Sequence, residues 1–124
     1  MGPQESSTDF PDPIPASQPL HLPAAASAAF ELLTRRWVPQ LLYLLCQRQA
    51  RFGELAQAVP DMSRRVLMER LRQLDEEGLV HRLVEPGPPT RIIYQVTDLG
   101  RGLCATLQQV SAWGERYLDV SSSR

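Results

Sequence analysis

Beyond residue 23, apolar residues recur at helical spacing through most of the chain. Ala25, Ala28, Ala29, Leu32 and Leu33 form a stripe of mostly small residues that runs up to the basic pair Arg35-Arg36. Residues 37–46 are almost continuously apolar and predict a deeply buried second helix. Pro39 falls in its first turn, where a missing N–H removes no intrahelical bond. Phe52, Leu55, Ala56 and Val59 sit at i, i+3, i+4 and i+7, predicting a short third helix stopped by Pro60. Ser63 has the side chain of an N-cap and opens a fourth helix, which Gly78 ends. Two β-type runs follow, residues 79–85 and 91–97, joined by Pro86-Gly-Pro-Pro-Thr90 as a hairpin with a proline-stiffened tip. Thr97-Asp98 then caps a last helix from residue 99 to about 117, striped by Leu99, Leu103, Leu107, Val110, Trp113 and Tyr117.

Helices followed by a hairpin and a closing helix predict a mainly α protein with a small β-hairpin wing, a winged helix-turn-helix. The 124 residues leave room for one domain, expected over residues 24–118 with its terminal helices available for dimerisation. Residues 1–23 hold six of the eleven prolines among Ser, Gln and acidic positions, the composition of a disordered or extended arm. Phe10, Ile14, Leu20 and Leu22 offer that arm apolar side chains for docking on the domain. Residues 119–124 are expected to be a disordered tail.

Charge changes the picture because it is unevenly placed. The net charge of −1 combines −4 over residues 1–34, +3 over residues 35–101 and zero over the remainder. The average therefore conceals a basic middle, which is a reason to look for nucleic acid. Every basic residue is arginine, which forks onto phosphate and guanine. Codon bias explains most of that preference, so position is the informative part.

On the helix opened by Ser63, each residue advances about 100°. Leu67, Leu71 and Leu74 form a buried stripe, and Arg65, Met68, Glu69 and Arg72 fall on the opposite side with Arg64 on the flank. That is the face a helix needs to enter a major groove with guanidinium forks near its N-terminus. The competing reading is a solvated charged face. Arg70 lies at the edge of the apolar side and is expected to pair with an acid, Glu54. Arg91, with Thr90, stands on the wing, where a basic side chain reaches a minor groove or a phosphate. Arg36 and Arg51 flank this surface. The consecutive acids Asp75, Glu76 and Glu77 read as a solvated turn.

Cys46 and Cys104 lie within predicted amphipathic helices and read as small buried hydrophobes rather than a disulfide framework. His21 and His81 have no ligand-spaced neighbours, so no metal and no cofactor is expected. There is no nucleophile elbow, no phosphate-binding glycine loop and no paired His and carboxylate, which argues against an enzyme. No apolar run suits a membrane span and no secretory signal opens the chain, so a cytoplasmic protein without a membrane partner is expected.

An ordered series of short motifs resembles the HxlR family of bacterial winged-helix regulators. It comprises Arg36-Trp37, Arg51-Phe-Gly-Glu-Leu55, Met62-Ser-Arg-Arg-Val-Leu67, Arg70-Leu-Arg-Gln-Leu74, Glu77-Gly-Leu-Val80, Arg82, the proline wing, Tyr94 and Val96-Thr-Asp-Leu-Gly100. The resemblance implies a sequence-specific regulator of transcription, with repression the favoured sign. It also implies a homodimer on a pseudo-palindromic operator, joined through its first and last helices. The matching surfaces are Ala25, Ala28 and Leu32 on one helix and Leu103, Leu107, Val110, Trp113 and Tyr117 on the other. The expected partners are thus double-stranded DNA and a second copy of the chain, with room between helices for a small-molecule effector of unknown identity. The wing departs from the family in having Thr90 between Pro89 and Arg91. Ala24 stands about where redox-sensing members carry a cysteine. Two alternatives stay open: a thiol-based redox-responsive regulator built on Cys46 or Cys104, and a protein-interaction module without DNA binding.

Overall fold

The computed structural model describes residues 12–120. Phe10 therefore lies outside the described residues, as do parts of the expected arm and tail. Ile14, Leu20 and Leu22 are exposed, Leu20 at 92%, so these apolar residues of the arm do not dock on the domain. Helix α1 (Ala24–Thr34) buries none of its residues completely.

A sharp corner leads from α1 into α2 (Val38–Gln47). Its pivot is Trp37, which adopts a left-handed φ of 74°, a costly conformation for a bulky residue. Two contacts hold the corner. The Arg36 guanidinium lies 5.2 Å from the centre of the Trp37 ring, and Arg70 Nε donates to the Arg36 carbonyl at 2.9 Å. The expected pairing of Arg70 with Glu54 is therefore wrong: Glu54 is taken by Arg48, and half-buried Arg70 serves a backbone carbonyl instead.

Helix α2 fills the centre. Val38, Leu41, Leu42 and Leu45 are all buried, because their spacing places them on one helical face. Strand β1 (Ala50–Arg51), α3 (Phe52–Ala58) and α4 (Arg64–Glu76) follow. Ser63 caps α4 as expected, its Oγ accepting from the Val66 N–H at 3.1 Å. Gly78, at φ 79°, ends the helix in a left-handed turn. There the Leu79 N–H reaches the Leu74 carbonyl and the Gly78 N–H reaches that of Asp75, at 2.9 and 3.0 Å.

Strands β2 (Val80–Glu85) and β3 (Arg91–Val96) form the wing. The sheet has three antiparallel strands in the order β1-β3-β2. The edge strand β1 was not expected, since two residues are too few to display a period of two; its pairing with Tyr94 and Ile93 defines it. Leu67, Leu71 and Leu74 of α4 share one core with the buried α2 residues, Val80, Tyr94 and Val96. Helices on a small sheet with a projecting hairpin make this a winged helix-turn-helix. Among the described residues, no helix is long and apolar enough to cross a membrane.

The expected last helix is two helices, α5 (Asp98–Arg101) and α6 (Cys104–Tyr117). Thr97 Oγ1 caps α5 by accepting from the Gly100 N–H at 3.1 Å. Leu99 consequently leaves the α6 stripe and is 65% exposed. The break lies where the chain crosses the end of β2 at close range, since a Cβ on Gly100 would sit 2.2 Å from the Leu79 carbonyl oxygen. The reading of the cysteines as separate core thiols is also corrected. Cys46 and Cys104 are joined in a disulfide between α2 and α6, with Cα atoms 5.7 Å apart. Neither helix pattern reveals the pairing, because 58 residues separate them.

Gly100 must remain without a side chain. Gly100→Ala is expected to destabilise the fold by about 1–3 kcal/mol, since a backbone carbonyl has to move; urea unfolding followed by circular dichroism measures it.

Candidate nucleic-acid interface

The packing that buries Leu67, Leu71 and Leu74 turns the opposite side of α4 outward. Arg65 and Arg72 are exposed there, and Met68 is 50% exposed. Glu69, half-buried, lies 4.0 Å from Arg70. The arginines of this end are not equivalent. Arg64 sits over the Phe52 ring at 5.4 Å, which ties the start of α4 to the start of α3. Arg72 pairs with Glu76 one turn on, at 2.9 Å; the pair is exposed, so it is weak and readily exchanged for a phosphate. Among the described residues Arg65 has no ion pair. It sits in the first turn of α4, where unpaired backbone N–H groups also favour an anion.

The wing divides its two arginines between the faces of the sheet. Alternation along β3 places Ile92, Tyr94 and Val96 towards the core and Arg91 and Ile93 on the other side. Arg82 opposes Tyr94 across the ladder. With Met68, Leu71, Arg72, Asp75 and Tyr94 it lines a hollow of about 240 Å³ between wing and α4. Arg82 thus joins the α4 surface; sequence reasoning used it only as part of a motif, and the period-two alternation counted from Tyr94 is the signal that places it. Arg91 instead lines a hollow of about 330 Å³ with Arg48, Arg51, Glu54, Glu85 and Ile93. Arg51 and Arg91, both predicted site residues, are brought together there, on the sheet face away from α4. Thr90 Oγ1 donates to the Gly87 carbonyl at 3.2 Å, closing the tip. Arg36 stands apart at the α1–α2 corner.

Glu54 organises the edge of this second group. Its carboxylate accepts from Arg48 at 3.1 and 3.3 Å and from the Arg51 N–H at 2.9 Å. The Arg48 guanidinium, then the Arg51 N–H, holds it down at about 2. Of the consecutive acids, Asp75 and Glu76 lie in the last turn of α4 and Glu77 just beyond it. All three are exposed, but Glu76 pairs with Arg72 and Glu77 is also engaged. Glu77 takes Arg35 at 2.7 Å and so ties the end of α1 to the end of α4, and the same contact raises the Arg35 pKa.

The residues expected at a partner surface divide as well. Leu107 is 6% exposed and belongs to the protomer's own core, and Leu32 and Leu103 pack against that core; burial within one chain removes Leu107 from any partner contact. Ala25 and Ala28 are exposed. Val110, Trp113 and Tyr117 stand 55–63% exposed, and Phe30 of α1 is 58% exposed. Among the described residues no cluster of three or more His, Cys, Asp or Glu side chains suits a metal ion.

Comparisons agree on what this architecture resembles. The family model described as HxlR-like helix-turn-helix matches residues 32–122. YvaP, an uncharacterized HTH-type transcriptional regulator of Bacillus subtilis, is 41% identical over 93 residues, covering 75% of this chain and 86% of that protein. YodB, an HTH-type transcriptional regulator of the same organism, is 34% identical over 92 residues, covering 74% and 82%. The solved structure of reduced YodB superposes with a TM-score of 0.69 at 31% identity, over 80% of this chain and 97% of that one. The redox regulator HypR in its oxidized form superposes with a TM-score of 0.73 at 30% identity, over 78% and 100%.

The contacts of Glu54 have a pH signature. Its folded value lies below the ordinary 4.5, so its contribution to stability is complete above that value and is lost as the pH falls towards about 2. A carboxyl-carbon NMR titration should show Glu54 ionised down to about pH 2; Arg48→Ala should move the midpoint back towards the ordinary value. A midpoint near 4.5 in the unaltered protein would contradict the contact.

Proposed function

The chain belongs to the HxlR-like helix-turn-helix family of transcriptional regulators, and on that premise we propose a homodimer that reads a pseudo-palindromic operator in double-stranded DNA. The observation that carries the reading is the outer face of α4. Arg65 stands there exposed in the first turn, without an ion pair among the described residues, with Met68 and Arg72 beside it and Arg82 at the wing's base. Laid in a major groove, α4 brings Arg65 to base edges, where its fork matches the O6 and N7 of guanine. Ser63 and Arg64 at the helix start, Glu69 and Arg72 further along and Arg82 on the wing border the same groove. Arg51, Thr90 and Arg91 meet backbone or minor groove at the wing's other face, and Arg36 contributes positive charge at a distance.

The apolar side chains that α1 and α6 leave exposed support the dimer. Val110, Trp113 and Tyr117, with Phe30, Ala25 and Ala28, are large anchors and small approach points on two helices that the domain covers on one side only. Two recognition helices would then enter successive grooves on one side of the duplex, about 34 Å apart. Residues 24–118 form this unit, with residues 12–23 outside it. The relatives are transcriptional regulators rather than enzymes, and a cytoplasmic location goes with access to a bacterial chromosome. Repression follows if the operator overlaps a promoter.

The test is fluorescence anisotropy on the DNA upstream of the protein's own gene, against a scrambled duplex, across a salt series. Preference for the upstream duplex is expected, with binding that weakens steeply in salt. Arg65→Ala should cost about 1–3 kcal/mol on the specific duplex and relax preference at one base pair. A uniform loss on both duplexes with a smaller salt slope would assign Arg65 to phosphate. No DNA affinity, with salt-insensitive retention of a protein partner, would make the domain an interaction module.

A further inference from the structure

Neither the core nor the candidate DNA surface uses residues 12–23, yet this arm is shaped. The Gln18 N–H donates to the Pro15 carbonyl at 3.0 Å, closing a turn. Pro23 holds φ −59° and ψ 144° where the arm leads into α1. Pro19 and Pro23 fix their own φ and bias the residues before them towards extended backbone. In an extended run Leu20 and Leu22 point to the same side. They are 92% and 63% exposed, and every residue from 12 to 25 is exposed. Two leucines presented together between prolines, and covered by nothing in their own chain, make a docking segment.

The surface that matches it is an apolar groove of about 360 Å³ between α2, α3 and α6. Pro39, Tyr43 and Leu44 form one wall, Ala58 and Val59 a second and Val110 a third. Val110 begins the exposed stripe that Trp113 and Tyr117 continue, their rings 5.9 Å apart. The groove is therefore continuous with the face offered to a second copy. Proline-rich segments dock on apolar grooves with aromatic rims, because their backbone is already extended and loses little entropy on binding. The lengths agree. Pro19–Pro23 spans about 15 Å at about 3.1 Å per residue, and α6 from Leu107 to Tyr117 spans about 15 Å at about 1.5 Å per residue.

We propose that the two protomers exchange arms, Leu20 and Leu22 of each chain seating in the groove of the other, with Pro19 and Pro23 against its aromatic rim. The exchange rests on the dimeric reading above. Helix α1 packs on its own core through Leu32 and Leu33, at its C-terminal end. Its N-terminal half thus carries the arm away from its own body and, in a dimer joined through α1 and α6, onto the other. One wall of the groove is the end of α3, the helix before α4. A seated arm therefore ties the first helix of one protomer to the DNA-reading half of its partner.

Two measurements on the whole chain test this. Sedimentation equilibrium gives the dimer dissociation constant of the unaltered protein, of the arm variant Leu20→Ser, Leu22→Ser, and of Ala58→Arg, which fills the groove from α3 and leaves α1 and α6 unaltered. All three positions are exposed in the protomer, so the variants should keep the fold, which circular dichroism checks. Each is expected to weaken the dimer by at least about tenfold, and the two combined to cost little more than either alone, as partners in one contact do. Separately, p-benzoylphenylalanine replaces Leu20, and isotopically labelled and unlabelled chains are mixed, irradiated and digested. The expected photoproduct joins residue 20 of one chain to a peptide of the other that contains Tyr43 or Val110. A stable dimer that neither variant weakens overturns the exchange, as does a photoproduct within one chain or on another surface; either result leaves the dimer standing. An unaltered protein that stays monomeric at micromolar concentration removes the dimeric reading, and the exchange with it.

Discussion

Burial of one face of α2 is the constraint on which the rest of the molecule depends. Val38, Leu41, Leu42 and Leu45 reach 0–2% exposure, each worth about 1.5–3 kcal/mol by transfer from water. Helices α1 and α6 and strand β3 all pack on this helix. The leucine stripe of α4 completes the same core, and so the orientation of the candidate recognition helix is a consequence of core packing. Once Leu67, Leu71 and Leu74 point inward, Arg65, Met68 and Arg72 have nowhere to go but outward. Positioning the surface from beneath, on a regular helix, keeps it more precisely placed than a loop could.

The arginines show how the structure divides one residue type between scaffold and surface. Arg35 ties α1 to the end of α4, Arg48 steadies Glu54 at the start of α3, and Arg70 holds the carbonyl at the α1–α2 corner. These hold elements in place. Arg65 and Arg82 have no ion pair among the described residues and stand where a polyanion can approach. The basic middle of the chain is thus partly internal wiring, and only part of its charge is available to DNA.

Periodicity made the helices and the wing legible, because burial of one face imposes a repeat that sequence displays directly. Ser63 and Gly78 were legible as helix ends for an equally local reason: each satisfies backbone groups within a few residues. What escaped depended on contacts distant in sequence. Strand β1 exists through its ladder with β3. The break before α6 follows from Gly100 lying against Leu79, and the partner of Arg70 is a backbone carbonyl 34 residues away. The disulfide needed α2 and α6 to be placed side by side, and Arg82 needed the sheet register. Leu107 had the spacing of an interface residue but is consumed by its own core, since one apolar stripe serves the protomer at its start and projects beyond it at its end.

The central claim is that α4 occupies a major groove, twice, on one side of the duplex. Methylation of guanine N7, an atom that faces the major groove, tests it most directly. Partially methylated upstream DNA would be sorted by the protein into bound and unbound fractions and then cleaved at the modified bases. The account predicts two clusters of interfering guanines, related by approximate two-fold symmetry and centred about one helical turn, roughly 10 base pairs, or a multiple of it, apart. Interference confined to a single cluster, or specific binding untouched by N7 methylation at every guanine of the site, would contradict it.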